Sequence, residues 1–298
     1  MNNVFYLHPA KCGGTSVLHC LSDMSIDFYR TSQLQLNHHT LEILNSDKKV
    51  IVAGHIDYLP IAETDEQKII KSEILKILYF RSDLIMPTRN PSNLLQSWMH
   101  YAKTRSNKIL RDRVKGVAQI MGKDAGMLFM MSALKQDCIV FSEDGKTAIG
   151  KGNEHPCFKL KQEDEEQNLL AFADFLWNNS SDGFLSQLCA MQFQLFALNW
   201  KQHEDIMLRR KAVALKPPVS SDERKVIYYD CESINSSHQL VLDQAICPGF
   251  SERLLKTRKN VSEDKSKVKG SYFDSVNRKL QKMIPGEWQI YAMSKVNV

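Results

Sequence analysis

The sequence predicts an α/β fold: a mostly parallel sheet between helices, three layers deep, with a helical elaboration. Three observations predict it. Apolar runs of strand length recur at residues 4–8, 50–54 and 84–88. Each is followed by a turn and then by a helical pattern, at 15–22, 64–76 and 91–103. The runs are of the buried type, and strands alternating with helices imply parallel pairing with crossovers. A chain of 298 residues, 43% hydrophobic, is long enough to bury a large core in one domain.

The first element carries the most information. Val4-Phe5-Tyr6-Leu7-His8 is a strand, Pro9-Ala10-Lys11-Cys12-Gly13-Gly14 a tight loop, and Thr15-Ser16-Val17-Leu18 the start of a helix. A loop of this kind aims backbone N–H groups and the positive end of a helix at one point, which suits a phosphate. Gly13 and Gly14 let the backbone come close. Lys11 adds a mobile positive charge. Thr15 and Ser16 can cap the helix or donate to phosphate oxygens. This is not a Walker A loop, in which the lysine follows the last glycine.

The second strand, Lys49-Val50-Ile51-Val52-Ala53, runs into Gly54-His55, and an imidazole at a strand end is suited to removing a proton near neutral pH. Ile77-Leu78-Tyr79-Phe80 reads as a further strand. Leu84-Ile85-Met86-Pro87-Thr88 ends in Arg89-Asn90-Pro91, where Asn90 is a good N-cap and Pro91 a good first helical residue. On the following helix, Asn90, Ser97 and Tyr101 fall nearly on one line, beside an apolar face of Leu94, Leu95, Trp98 and Ala102. Arg89 and Ser97 can then close on one anion.

Further along, residues 105–135 are helical in pattern, and Met121, Met127, Met130 and Met131 read as core packing. Residues 138–149 read as a β-hairpin through Asp144-Gly145. Helices are expected at 163–178 and 182–199, a break at Lys216-Pro217-Pro218, and a late strand at Lys225-Val226-Ile227-Tyr228-Tyr229. Residues 251–269 are charged and polar and read as a mobile loop, followed by a helix at 272–280. Arg258, Lys259 and Asn260 lie in that loop.

Together these motifs resemble the sulfotransferases that use 3′-phosphoadenosine 5′-phosphosulfate (PAPS), most of all the carbohydrate-type branch. Pro9-Ala10-Lys11-Cys12-Gly13-Gly14-Thr15-Ser16 is similar to that family's 5′-phosphosulfate loop, with Ala10 inserted between proline and lysine. Arg89-Asn90-Pro91 with a serine eight residues after the arginine resembles its 3′-phosphate motif, with Asn90 in place of the usual aspartate. Gly54-His55 resembles its base segment. Asn260-Val261-Ser262, the late helix and Glu287-Trp288-Gln289-Ile290-Tyr291 resemble its C-terminal end. The resemblance implies a P-loop-type core. It implies that residues 10–16, Arg89, Ser97, Arg258, Lys259 and Asn260 hold the nucleotide. It also implies that His55 and Lys11 are catalytic, with no metal required. His8, His38 and His39 are the next histidines to consider as base.

The same resemblance divides the chain into a PAPS-binding core at 1–103, a helical acceptor-shaping region at 104–215, and a C-terminal strand, nucleotide loop and closing helix at 216–298. The middle region is not covered by it. The expected acceptor is a carbohydrate hydroxyl, or a hydroxyl or amine of a small metabolite. The alternative is a P-loop kinase or NTPase, disfavoured by the misplaced lysine and the lack of an apolar run ending in a magnesium-binding aspartate.

The net charge of +5 suits a multiply anionic cofactor but is too weak to point to nucleic acid. The seven cysteines are odd in number, scattered and without a CxxC pair, which argues against a disulfide framework or zinc site. With no signal peptide or membrane-length apolar run in the sequence, the expectation is a soluble, cytoplasmic, bacterial-type enzyme.

Overall fold

The computed structural model describes residues 2–8, 12–55, 59–60, 62–97, 99–100, 139–141, 148–150, 164–178, 219–257 and 269–296; 139–141, 148–150, 175–178 and 285–287 are described as backbone. The chain divides into two compact units. The first comprises Met1–Asn90, Cys189–Lys267 and Pro285–Val298, and the second Pro91–Leu188 and Val268–Ile284.

The first unit is built on a five-stranded sheet. Its strands are β1 (Val4–Leu7), β2 (Tyr29–Arg30), β3 (Ile51–Gly54), β4 (Asp83–Thr88) and β7 (Val226–Asp230). Their order is β2-β3-β1-β4-β7, and every pair is parallel. β1 is central, and all four of its residues are buried.

Side-chain alternation splits the core by face. Phe5, Leu7, Val52, Leu84, Met86 and Tyr228 point to one side. There they pack with α2 (His38–Leu44), α3 (Asp65–Lys76) and α9 (Pro285–Met293) through Leu44, Ile70, Ile74 and Ile290. Val4, Tyr6, Ile51, Ala53, Ile85 and Tyr229 point to the other. They meet Val17 and Leu21 of α1 (Gly14–Asp23), Leu242 of α6 (Ser236–Ala245) and Phe250 and Leu254 of α7 (Phe250–Lys256). Helices therefore cover both faces of an all-parallel sheet, as the apolar runs require. Across the second face, the buried Tyr6 and Tyr229 hydroxyls bond to each other.

In the second unit, residues 91–97 form α4. β5 (Ile139–Phe141) and β6 (Ala148–Gly150) pair antiparallel, as the expected hairpin does. α5 (Glu165–Asn178) and α8 (Asp274–Met283) bury Leu169, Phe172, Val276 and Leu280. The unit is stitched by side-chain-to-backbone bonds from α4. Asn93 Oδ1 accepts from Ser271 N at 2.8 Å, and Gln96 Oε1 accepts from Gly270 N at 2.9 Å. Gly270 lies so close to α4 that a Cβ there would be 2.5 Å from the Ser92 carbonyl oxygen.

Three expectations need correction. Ile77–Arg81 is not a strand but a π-helical turn continuing α3. Burial of Ile77, Leu78 and Tyr79 is achieved within the helix, and Ser82 N closes the wide turn on the Ile77 carbonyl at 3.0 Å. Its apolar residues have strand propensity, but helical packing overrides it. Residues 250–256 are helix α7 rather than loop, because Phe250 and Leu254, one turn apart, bury a narrow face among charged neighbours. Helices α6 and α9 were not expected at all. The expected helices at 105–135 and 182–199 lie outside the described residues. No helix among the described residues is long and apolar enough to cross a membrane.

Candidate functional site

In a parallel sheet all strands end on one edge, and loops at that edge bring together residues far apart in sequence. Here β1 ends at His8, β3 at His55, β4 at Arg89, and β7 at Asp230-Cys231-Glu232. Register fixes these neighbours: Leu7 lies opposite Gly54, and Thr88 opposite Asp230. Two backbone bonds extend the pairing past the strand ends. His8 N donates to the Gly54 carbonyl at 3.2 Å, and Cys231 N to the Thr88 carbonyl at 2.9 Å.

The glycine loop enters α1 through Gly13, whose φ of 82° is left-handed and serves as the N-cap. Ser16 N and Val17 N close on its carbonyl at 3.0 and 3.3 Å. Thr15 and Ser16 are therefore not caps, contrary to one of the two roles expected of them. The helix begins at Gly14, and the cap makes no side-chain hydrogen bond. By helix geometry the Gly14 and Thr15 amides have no partner within the helix, so they face the loop side. Gly13 and Thr15 are exposed, while Cys12, Gly14 and Ser16 are buried. Lys11 and Ala10 lie outside the described residues, as do Arg258, Lys259 and Asn260.

His8 packs directly beneath this loop. A Cβ on Gly14 would fall 2.0 Å from His8 Nδ1, so the position admits only glycine while the ring is there. The His8 and His55 rings meet at 4.2 Å between centroids, inclined by 68°. His8 is buried, and its Nε2 has no hydrogen-bond partner among the described residues. Burial, helped by the neighbouring His55, pushes its pKa down to about 3, so it is neutral at any ordinary pH. His55 is half-buried. His38 and His39 are both exposed and sit against carboxylates, Glu66 at 3.3 Å and Glu42 at 3.6 Å.

The other side of β1 is charged and already paired. Arg89 Nε and Nη2 both donate to Glu232 Oε1, at 3.0 and 2.9 Å. Burial pulls the guanidinium pKa down most strongly, but the Glu232 charge, the neighbouring Cys231 and Cys12 and the Glu232 hydrogen bonds together outweigh it, and the arginine pKa rises. Asp230 is buried and accepts from Lys295 Nζ, from Glu232 N at 2.8 Å and from Tyr291 Oη at 3.4 Å. Ser97, expected to share an anion with Arg89, is half-buried on α4 in the second unit.

Sequence reasoning missed Glu232 and Asp230. The available signal was Tyr229-Asp230-Cys231-Glu232, carboxylates at the carboxyl end of an apolar strand. Among the described residues, no three His, Cys, Asp or Glu side chains are grouped to hold a metal ion. No family model, curated protein or solved structure matches the chain.

Proposed function

We propose that the chain is a PAPS-dependent sulfotransferase, moving a sulfuryl group to a hydroxyl or amine of a carbohydrate or small-metabolite acceptor and releasing 3′-phosphoadenosine 5′-phosphate (PAP). The observation that carries the reading is the left-handed Gly13 turn at the carboxyl end of the central parallel strand, opening α1 beside His55. The sequence motifs supply the rest.

In this reading the amides of residues 12–15 hold the 5′-phosphate, and their attraction for it strengthens as charge builds on the leaving oxygen. Lys11 neutralises charge on the transferring group. The acceptor oxygen or nitrogen attacks sulfur in line with the departing phosphate oxygen, and His55 takes its proton. Arg89 receives the 3′-phosphate. Arg89 must then exchange the Glu232 carboxylate for phosphate oxygens, a substitution of one charge-assisted contact by another.

A kinase reading is disfavoured by the loop lysine, which precedes the glycines where a Walker A lysine follows them. The test is calorimetric PAP binding, followed by transfer of a radiolabelled sulfuryl group from PAPS to candidate acceptors. Absence of PAP binding overturns the proposal, and magnesium-dependent ATP turnover would replace it with the kinase.

A further inference from the structure

We propose that His8 is a positioning residue that couples the glycine loop at Gly14 to the orientation of the His55 ring. The inference rests on the reading of His55 as the base and of the loop as the donor's anchor.

Three independent contacts converge on this one side chain. Its backbone N–H is fixed to the Gly54 carbonyl, one residue before His55. Its ring lies edge-on to the His55 ring. Its Nδ1 occupies the space where any side chain at position 14 would begin. A movement of the first turn of α1 is therefore transmitted to His55 through a rigid, flat group. Burial matters here in a second way. A ring that took up a proton would repel a protonated His55, and a hydrated ring would have freedom to turn. His8 is 4% exposed, which disfavours both a proton on the ring and freedom for it to turn near neutral pH. Catalysis needs the base held to well under an ångström, and a loosely held imidazole forfeits rate without forfeiting cofactor affinity.

Imidazole carbon–proton spectra of the purified chain, assigned by single histidine replacements, read His55 directly and need no substrate. Gly14→Ala should shift the His55 signals, and the same replacement in a His8→Ala background should leave them in place. Signals indifferent to Gly14→Ala, or a shift that persists without His8, overturn the coupling. Should Gly14→Ala fail to fold, His8→Ala alone decides: unshifted His55 signals overturn the proposal. In turnover, His8→Ala should lower kcat about tenfold or more with PAP affinity within about twofold, and His8→Asn should recover most of the loss. Unchanged kcat in His8→Ala overturns the role. A wild-type chain that binds no PAP removes the sulfotransferase reading but leaves the imidazole spectra to judge the coupling.

Discussion

The two halves of the strand-end edge are built on opposite principles. At β1 and β3 the described groups are a glycine turn, two imidazoles and the first amides of a helix. At β4 and β7 the groups are fully ionic and already matched, Arg89 with Glu232 and Asp230 with Lys295. In the proposed function the first half meets an anion with backbone dipoles. The second half binds an anion only by breaking a contact it already has. An incoming nucleotide would therefore gain most of its affinity at the loop and most of its selectivity at the arginine.

The comparison fails first if the β1–β3 half is not dry. His8 titrates near 3 in the folded chain against 6.5 for a free imidazole. Above about pH 6.5 both folded and unfolded forms are neutral there, and its burial is undisturbed. As pH falls below that, the unfolded chain takes a proton that the folded chain refuses until about pH 3, so stability is lost on acidification. The slope is about 1.36 kcal/mol per pH unit, on the order of 3 kcal/mol between pH 6.5 and 4. Denaturant melts of wild type and His8→Asn across that range should show the shallower slope in the variant. Equal slopes would mean a hydrated His8.

Turnover probes the same half. Lys11→Ala should lower it by about a hundredfold or more with folding intact, if its charge serves the transferring group as proposed. Near-normal rates would show that the loop does not hold the donor. His55→Ala should cost about a hundredfold while PAP affinity, measured by calorimetry, stays level. If affinity falls with rate, the histidine belongs to the framework rather than the chemistry.

The ionic half is tested by affinity. Arg89→Ala should weaken PAP binding by about 2 kcal/mol and should leave adenosine 5′-phosphosulfate, which lacks the 3′-phosphate, much less affected. Equal losses for both nucleotides would make the arginine structural. The smallest effect has the opposite sign. Glu232→Gln should tighten PAP binding by about three- to tenfold, because it frees the guanidinium from a competing carboxylate in a half-exposed pair. Weaker binding in that variant would reverse the roles assigned to the two halves.

The division also marks what the amino-acid sequence discloses. β1, β3 and β4 are legible as apolar runs because a strand buried on both faces has no polar alternation to dilute the signal. The Gly13 turn is legible because paired glycines before a helix have few other uses. The π-helical Ile77–Arg81 is not, since four apolar residues of strand propensity carry no trace of the helix they extend. Nor is the Arg89–Glu232 pair, whose members stand 143 positions apart and meet only through the register of β4 on β7. The His8–His55 contact is hidden for the same reason: both are strand ends, and the order of strands decides which ends are adjacent.

That order has a consequence for the chain while it is being made. β1, β3 and β4 leave the ribosome early and can pair among themselves, whereas Glu232, just past β7, follows Arg89 by 143 residues. At about 5–20 residues per second, roughly 7–30 s separate the emergence of Arg89 from that of Glu232. During that interval one edge of β4 stays open, and its arginine has no carboxylate. A nascent chain in this state exposes a strand edge beside a fixed positive charge until the last strand arrives.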